Sequence, residues 1–202
     1  MADRRISDRH PLVLASASPR RREILRSLGI CHVVLQAPVD ERELGGEGAY
    51  DYLLRVSRAK LDAALATRDA ALAECAAVLA ADTTVLIDGV MLGKPASIDE
   101  ARDMLRRLSG RAHEVKTAFA IGAPEGALLH QEIVTSRVVF RAATQREIDL
   151  YAESGEGLDK AGAYAVQGGA MAFVSRIEGS YSGIVGLPAC EVSVALSSLG
   201  LR

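Results

Sequence analysis

The sequence predicts a mixed α/β fold, a twisted central sheet flanked by helices, and three observations carry that expectation. Short apolar strand-like runs alternate with segments of helical period. Two S/T-x-x-E signatures, Ser97 with Glu100 and Thr144 with Glu147, mark helix starts. Two long apolar runs flank the turn signal Gly122-Ala-Pro-Glu-Gly126, which makes them antiparallel neighbours and the sheet mixed, not purely parallel.

Taken in order, Leu12 to Ala15 reads as the first strand. A helix follows from Pro19 to about Leu28, with Ser18 as N-cap and Pro19 where a missing N–H costs nothing. Cys31 to Gln36 reads as the second strand. Tyr50 to Leu65 reads as a longer helix with Tyr50, Leu53, Leu54, Leu61 and Leu65 on or near one face. An alanine-rich stretch carries that helix or its loop to Glu74, and Ala77 to Ile87 forms a strand. Ile98, Ala101, Leu105 and Leu108 fit the helix begun at Ser97. His113 to Ile121 and Leu128 to Arg141 are the two long strands. Leu187 to Leu199 closes the chain as a helix, with Val192, Ala195, Leu196 and Leu199 at i, i+3, i+4 and i+7. No repeat or low-complexity linker interrupts the series. The 202 residues, 49% of them hydrophobic, are therefore read as one domain over 1–202, with 1–10 as a flexible N-terminus.

A formal charge of -2 and an isoelectric point near 6.1 argue against stable nucleic-acid binding, which calls for a broad basic surface. Any anion site must be local. Cys31, Cys75 and Cys190 lack metal or disulfide spacing and read as reduced, mostly packing residues. His10, His32, His113 and His130 show no ligand spacing, so no zinc is expected. The charged start MADRRISDRH has no apolar run behind it and no segment reaches membrane-spanning length, so a cytoplasmic protein without membrane attachment is expected.

Three polar clusters fall at element ends, where α/β folds place ligands. The first is LASASPRRREIL, Leu14 to Leu25: a helix N-terminus, the hydroxyls of Ser16 and Ser18, and Arg20 to Arg22, a set suited to a phosphate chain. An ordinary capped helix with solvated arginines is the alternative. The second is Ala81-Asp82-Thr83-Thr84, with Gly93-Lys94-Pro95 a short turn later. A carboxylate inside an apolar strand is costly unless it has a partner or a task. Asp82 either works with a metal or caps a local bend through Thr83 or Thr84. Lys94 is either a phosphate lysine or a solvated turn residue, and the segment is no Walker A motif because Pro95 stands where Ser or Thr belongs. The third is Leu158 to Gly168, LDKAGAYAVQG, a glycine-punctuated loop in which Asp159 and Lys160 are able simply to pair on the surface. Asp40, Glu41 and Glu43 offer further carboxylates in what also reads as a soluble acidic loop. Lys60 either reaches inward or, by default, snorkels outward.

These blocks resemble the Maf nucleoside triphosphate pyrophosphatases. LASASPRRREIL, Asp40-Glu41, Arg58-Ala-Lys60, AADTTV, LGKP, LSGRAHEVKTA, LDKAGAYAVQG and GSYSGIVGLP run in family order from residue 12 to about 190. The resemblance implies an inosine triphosphatase-like fold with two lobes around a deep cleft. It also implies hydrolysis of a nucleoside triphosphate to monophosphate and pyrophosphate with a divalent cation, Mg²⁺ or Mn²⁺. Position by position it makes Asp82 the proton acceptor, places Ser16, Arg21, Glu41, Lys60 and Lys94 on polar positions of the cleft, and matches Arg20, Thr83 and Gln167 to the trio of the dTTP/UTP branch. Two departures stand out: Ala17 where glycine is common, and Gly183 where asparagine is frequent. On this reading Glu41 and Asp82 hold the metal, Asp82 serving as base, ligand or both, and Arg20 to Arg22, Lys60 and Lys94 hold pyrophosphate. The partner is a small-molecule nucleotide, and a homodimer is compatible with the sequence. A non-catalytic nucleotide sensor with a cell-division partner would need the same anion cluster but neither Asp82 nor the metal carboxylate. A protein gripping nucleic-acid backbone is disfavoured by the low aromatic content, 4%.

Overall fold

In a computed structural model, residues 5–202 are described. The strands are β1 (Leu12–Leu14), β2 (His32–Val34), β3 (Ala77–Ile87), β4 (Val90–Leu92), β5 (Ala112–Gly122), β6 (Leu128–Phe140) and β7 (Val174–Glu178). They form one sheet in the order β2-β1-β3-β5-β6-β7, with β4 on β3. The helices are α1 (Pro19–Ser27), α2 (Ala49–Ala66), α3 (Ala70–Ala73), α4 (Ile98–Leu108), α5 (Gln145–Glu153), α6 (Tyr181–Val185) and α7 (Ala189–Ser198), with 3₁₀ turns at Ala161–Ala163 and Gly169–Ala172. β1 runs parallel to both β2 and β3, whereas β3 with β4 and β6 with β7 are antiparallel. The predicted mixed sheet is present.

The chain divides into two compact units. One runs to Asp82 and takes in Thr117–Val134 and Gly186–Arg202; the other comprises Thr83–Lys116 and Thr135–Val185. In the first, alternate residues of each strand feed two different cores. Leu12 and Leu14 of β1 and Ala77, Leu79 and Ala81 of β3 join Leu25, Phe119, Leu187 and Leu196 in one, while Val13, Val78 and Ala80 join Leu61, Ala64 and Leu72 in the other. Both faces of this part of the sheet are thus covered, which is why its strands read as continuous apolar runs. The second unit has its own core, in which Val85, Leu105, Leu108, Val115, Phe140, Ile148, Tyr151 and Phe173 come together.

Local signals set most helix starts. Ser18 Oγ accepts the Arg21 N–H, Ser97 Oγ accepts the Glu100 N–H, and Thr144 with Glu147 closes a full capping box. At α4 the return bond is displaced by one residue, since Glu100 Oε2 accepts from Ala96 N–H at 2.7 Å. Two residues expected on apolar faces are exposed instead: Tyr50 at 61% and Ile98 at 37%. Each sits at the first turn of its helix, beyond the reach of the core that covers the later turns. The closing helix is shorter than read. Leu187 and Pro188 precede it, and α6 and β7 form where no periodicity marks them. Of the cysteines only Cys75 is buried, Cys31 being half-buried and Cys190 exposed, so packing explains one of the three.

Of the N-terminal ten residues expected to be flexible, 1–4 lie outside the described residues. Ile6 donates its N–H to Leu201 O at 2.8 Å and packs partly buried on the first unit's core. No helix among the described residues is long and apolar enough to cross a membrane.

Candidate active site

Strand alternation places Asp82. Val78 and Ala80 face the core formed with α2, and Asp82, two residues further on, follows them to the α2 side. β1 ends at Leu14, paired with Leu79, so β3 runs past its neighbour and carries Asp82 beyond it. β1 and β2 lie parallel, so the chain leaving β1 toward α1 and the chain leaving β2 toward Asp40 and Glu41 emerge at the same edge.

There Lys60 reaches inward from α2. Its ammonium donates to Asp82 Oδ1 at 2.6 Å and lies 2.9 Å from Glu41 Oε1. The Lys60 and Asp82 side chains are 14% and 9% exposed, so Lys60 points inward, not outward to solvent, and Asp82 is held by an ion pair. Asp82 has a half-buried partner. The neighbouring acids part company: Asp40 turns to Arg42, whose side chain and backbone N–H hold its carboxyl down at about 2, while Glu41 turns to Lys60.

At the α1 turn the three arginines are not equivalent. Arg21 is buried, donating Nε to Gly186 O at 2.8 Å and Nη1 to Ser16 Oγ at 3.0 Å, and Arg22 is exposed. Burial pulls the Arg21 pKa below its ordinary value, opposed by the charges of Asp82 and Glu41. Ser16 Oγ also accepts the Ser18 N–H at 3.2 Å, so Ser16 organises the turn. Ala17 is exposed and is not among the residues with positive φ, so alanine costs the backbone nothing where glycine is common.

Thr83, Lys94 and Gln167 belong to the second unit. Two motifs distant in sequence meet there, the Gly162 N–H donating to Gly93 O at 3.1 Å. Gly162 has φ of 70°, and a Cβ on it would lie 3.0 Å from the Val85 side chain. Ala163 itself adopts a φ of 60°, an uncommon conformation for alanine. Gly157 lets it sit there: a Cβ at 157 would fall 2.0 Å from Ala163 O. Lys160 pairs with Asp159 at 2.5 Å and bonds Glu156 O, so these two charges staple the loop. Glu156 Oε2 accepts the Gly169 N–H at 2.8 Å, and Tyr151 OH accepts the Ala165 N–H at 3.0 Å. Gln167 and Lys94 are exposed on this pinned backbone. Gly183 is buried in α6 and donates its N–H to Ser180 Oγ at 3.1 Å, which ties the helix start where asparagine is frequent.

Sequence reasoning missed three groups. Tyr52 and Arg55 hold the Glu41 segment from α2; a tyrosine and an arginine at i and i+3 beside an acidic loop are a weak signal before the loop's path is known. His113, in LSGRAHEVKTA, is buried with its Nε2 2.8 Å from Tyr164 OH, and burial lowers its pKa to about 4. Among the described residues no three His, Cys, Asp or Glu side chains converge as a metal site.

The sequence model of the family described as "Maf-like protein" matches residues 11–199. The dTTP/UTP pyrophosphatase of Hahella chejuensis is 47% identical over 194 residues, covering 96% of this chain and 94% of that protein. That of Burkholderia thailandensis is 47% identical over 203 residues, covering 97% of each. Among solved structures, the Staphylococcus aureus Ham1 protein aligns with a TM-score of 0.40 at 14% identity over 66% of this chain and 72% of that one.

Proposed function

The chain belongs to the Maf family, and from that premise we propose that it hydrolyses dTTP and UTP to the nucleoside monophosphate and pyrophosphate. The observation that carries this reading is the half-buried Lys60 ammonium bridging Asp82 at 2.6 Å and Glu41 at 2.9 Å, with the buried guanidinium of Arg21 in the same unit.

Hydrolysis at the α-phosphorus requires one aimed water and neutralisation of the departing pyrophosphate. Lys60 occupies Oδ1 of Asp82, so in this mechanism the attacking water's proton passes to Oδ2. Arg21 cannot swing away, because Gly186 O and Ser16 Oγ fix its fork, and it presents a preset positive charge to the phosphates. Arg20, Lys60 and Lys94 complete the grip on the β and γ groups. Gln167 reads the base: uracil and thymine offer an N3–H flanked by carbonyls, and one carboxamide answers with an acceptor and a donor. Thr83 accompanies it.

Glu41 and Asp82 fit a hard divalent cation, since both carboxylates already lie against one positive charge and supply oxygen donors only. When bound there, Mg²⁺ or Mn²⁺ would supply charge neutralisation to the phosphate oxygens. A cytoplasmic site of action follows from the nucleotide substrate.

A panel of nucleoside triphosphates, assayed for pyrophosphate release with and without Mg²⁺ or Mn²⁺, tests the proposal. UTP and dTTP are expected to be turned over in preference to GTP and ATP. Binding of UTP without pyrophosphate release would favour a sensor, and preference for GTP or 7-methyl-GTP would overturn the branch assignment and the role of Gln167.

A further inference from the structure

Residues 35–48, which include Glu41, contain no helix or strand. Chain of this kind holds one conformation only if specific contacts offset the entropy of ordering it. Around Glu41, one helix supplies several of those contacts. Tyr52 OH on α2 donates to the backbone carbonyl of Glu41 at 3.1 Å. Arg55, one turn further, grips Glu47 with Nε and Nη2, both at 2.6 Å, and Nη2 also donates to Arg42 O at 3.0 Å. The Glu47 side chain is only 9% exposed, and its second oxygen accepts the Leu44 N–H at 3.2 Å. The Arg55 guanidinium lies 5.6 Å from the Tyr52 ring, so the two tethers support each other. The same helix supplies Lys60, against which the Glu41 carboxylate rests.

We propose that Arg55 and Tyr52 are positioning residues that preset the Glu41 carboxylate beside Asp82 for a divalent cation. The inference rests on the proposed role of Glu41 in metal binding and adds what places it. α2 acts as a rigid gauge: its first two turns clamp the loop, and its fourth presents the ammonium at which the two carboxylates meet. Charge-assisted bidentate bonds at Arg55 make the stronger clamp, and the neutral hydroxyl at Tyr52 the weaker.

The test is Mn²⁺ titration of the full chain without nucleotide, followed by electron paramagnetic resonance of the free ion. Arg55→Ala is expected to weaken Mn²⁺ binding about tenfold, Tyr52→Phe about threefold, and Arg55→Lys by an intermediate factor, because an ammonium cannot hold Glu47 in a fork. In a Glu41→Gln background, Arg55→Ala is expected to change nothing further, since the carboxylate it positions is gone. Wild-type affinity in a folded Arg55→Ala protein, an undiminished Arg55 effect in the Glu41→Gln background, or no Mn²⁺ binding by the wild type overturns the inference. Should Arg55→Ala not fold, Tyr52→Phe, which removes one hydroxyl, decides alone. Because the readout is metal binding, a protein that follows this pattern yet releases no pyrophosphate from any triphosphate overturns the proposed function and leaves the positioning role standing.

Discussion

In the first unit the polar residues of the candidate site answer one another. Lys60 binds Asp82 and Glu41, Arg21 is locked to Gly186 and Ser16, and Arg55 clamps the loop that bears Glu41. In the second unit the order is reversed. Lys94 and Gln167 are exposed and, among the described residues, neither side chain makes a hydrogen bond or ion pair, while the backbone beneath Gln167 is pinned by Glu156, Lys160 and Tyr151. The difference follows from the tasks proposed for each. Stabilising developing charge requires charges oriented in advance, and burial with mutual pairing supplies that. Reading a base requires polar groups left open for the ligand, so precision has to come from the backbone that carries them.

The largest effect is expected where the first arrangement is broken at its centre. Asp82→Asn keeps the shape but removes the proton acceptor and one carboxylate, and steady-state assays should show turnover falling by at least ~100-fold with the fold intact by circular dichroism. Near wild-type turnover in a folded variant removes Asp82 from the mechanism. Next comes Gln167→Glu in the open arrangement. A carboxylate cannot donate to a base carbonyl, so UTP and dTTP turnover should drop by roughly 10- to 100-fold while metal dependence and melting temperature persist. A large fall in melting temperature would show that the exposed amide is structural after all.

Arg21→Ala and Lys94→Ala compare the two units directly. Both should lower turnover of the triphosphate more than binding of the monophosphate. Only Arg21→Ala should also destabilise the protein, by about 1–3 kcal/mol, because it removes the buried donor to Gly186 O. Equal melting temperatures for the two variants would erase the distinction.

The effect expected to be smallest on turnover, since it bears on stability alone, concerns the support beneath the open arrangement. His113 is 3% exposed, and burial lowers its pKa to about 4 from an ordinary 6.5. Between those values the unfolded chain binds the extra proton and the folded one does not, so stability is lost as pH falls from 6.5 toward 4, by up to ~3 kcal/mol. His113→Phe should flatten this slope in denaturant melts across that range. An unchanged slope would assign the acid sensitivity to other groups.

How much of this was legible in the sequence can be followed residue by residue. β3 spans Ala77–Ile87 as read, because an apolar run bounded by turn signals has one plausible extent. The caps at Ser18, Ser97 and Thr144 are local chemistry, decided within four residues. Other features had no local signal. β4 and β7 are three and five residues long, too short to show a period, and α6, five residues behind the single capping serine Ser180, is too short to show one either. Tyr50 and Ile98 obey helical spacing yet lie exposed, since spacing defines a face but not how far along the helix a core extends.

The candidate site divides in the same way. Sequence by itself determined the inventory: a capped arginine turn, a carboxylate within an apolar strand, an acidic loop, and a glycine-punctuated loop over 158–168. These are consequences of residue type and short-range sterics, which act within a few bonds. Only the tertiary structure decided which of Asp40, Glu41 and Glu43 turns to Lys60, whether Lys60 points in or out, which of three arginines is buried, and that Gly93 meets Gly162. Those choices depend on which buried charge finds an opposite charge brought from elsewhere in the chain, and that pairing exists only once the strands and helices that carry both partners have packed.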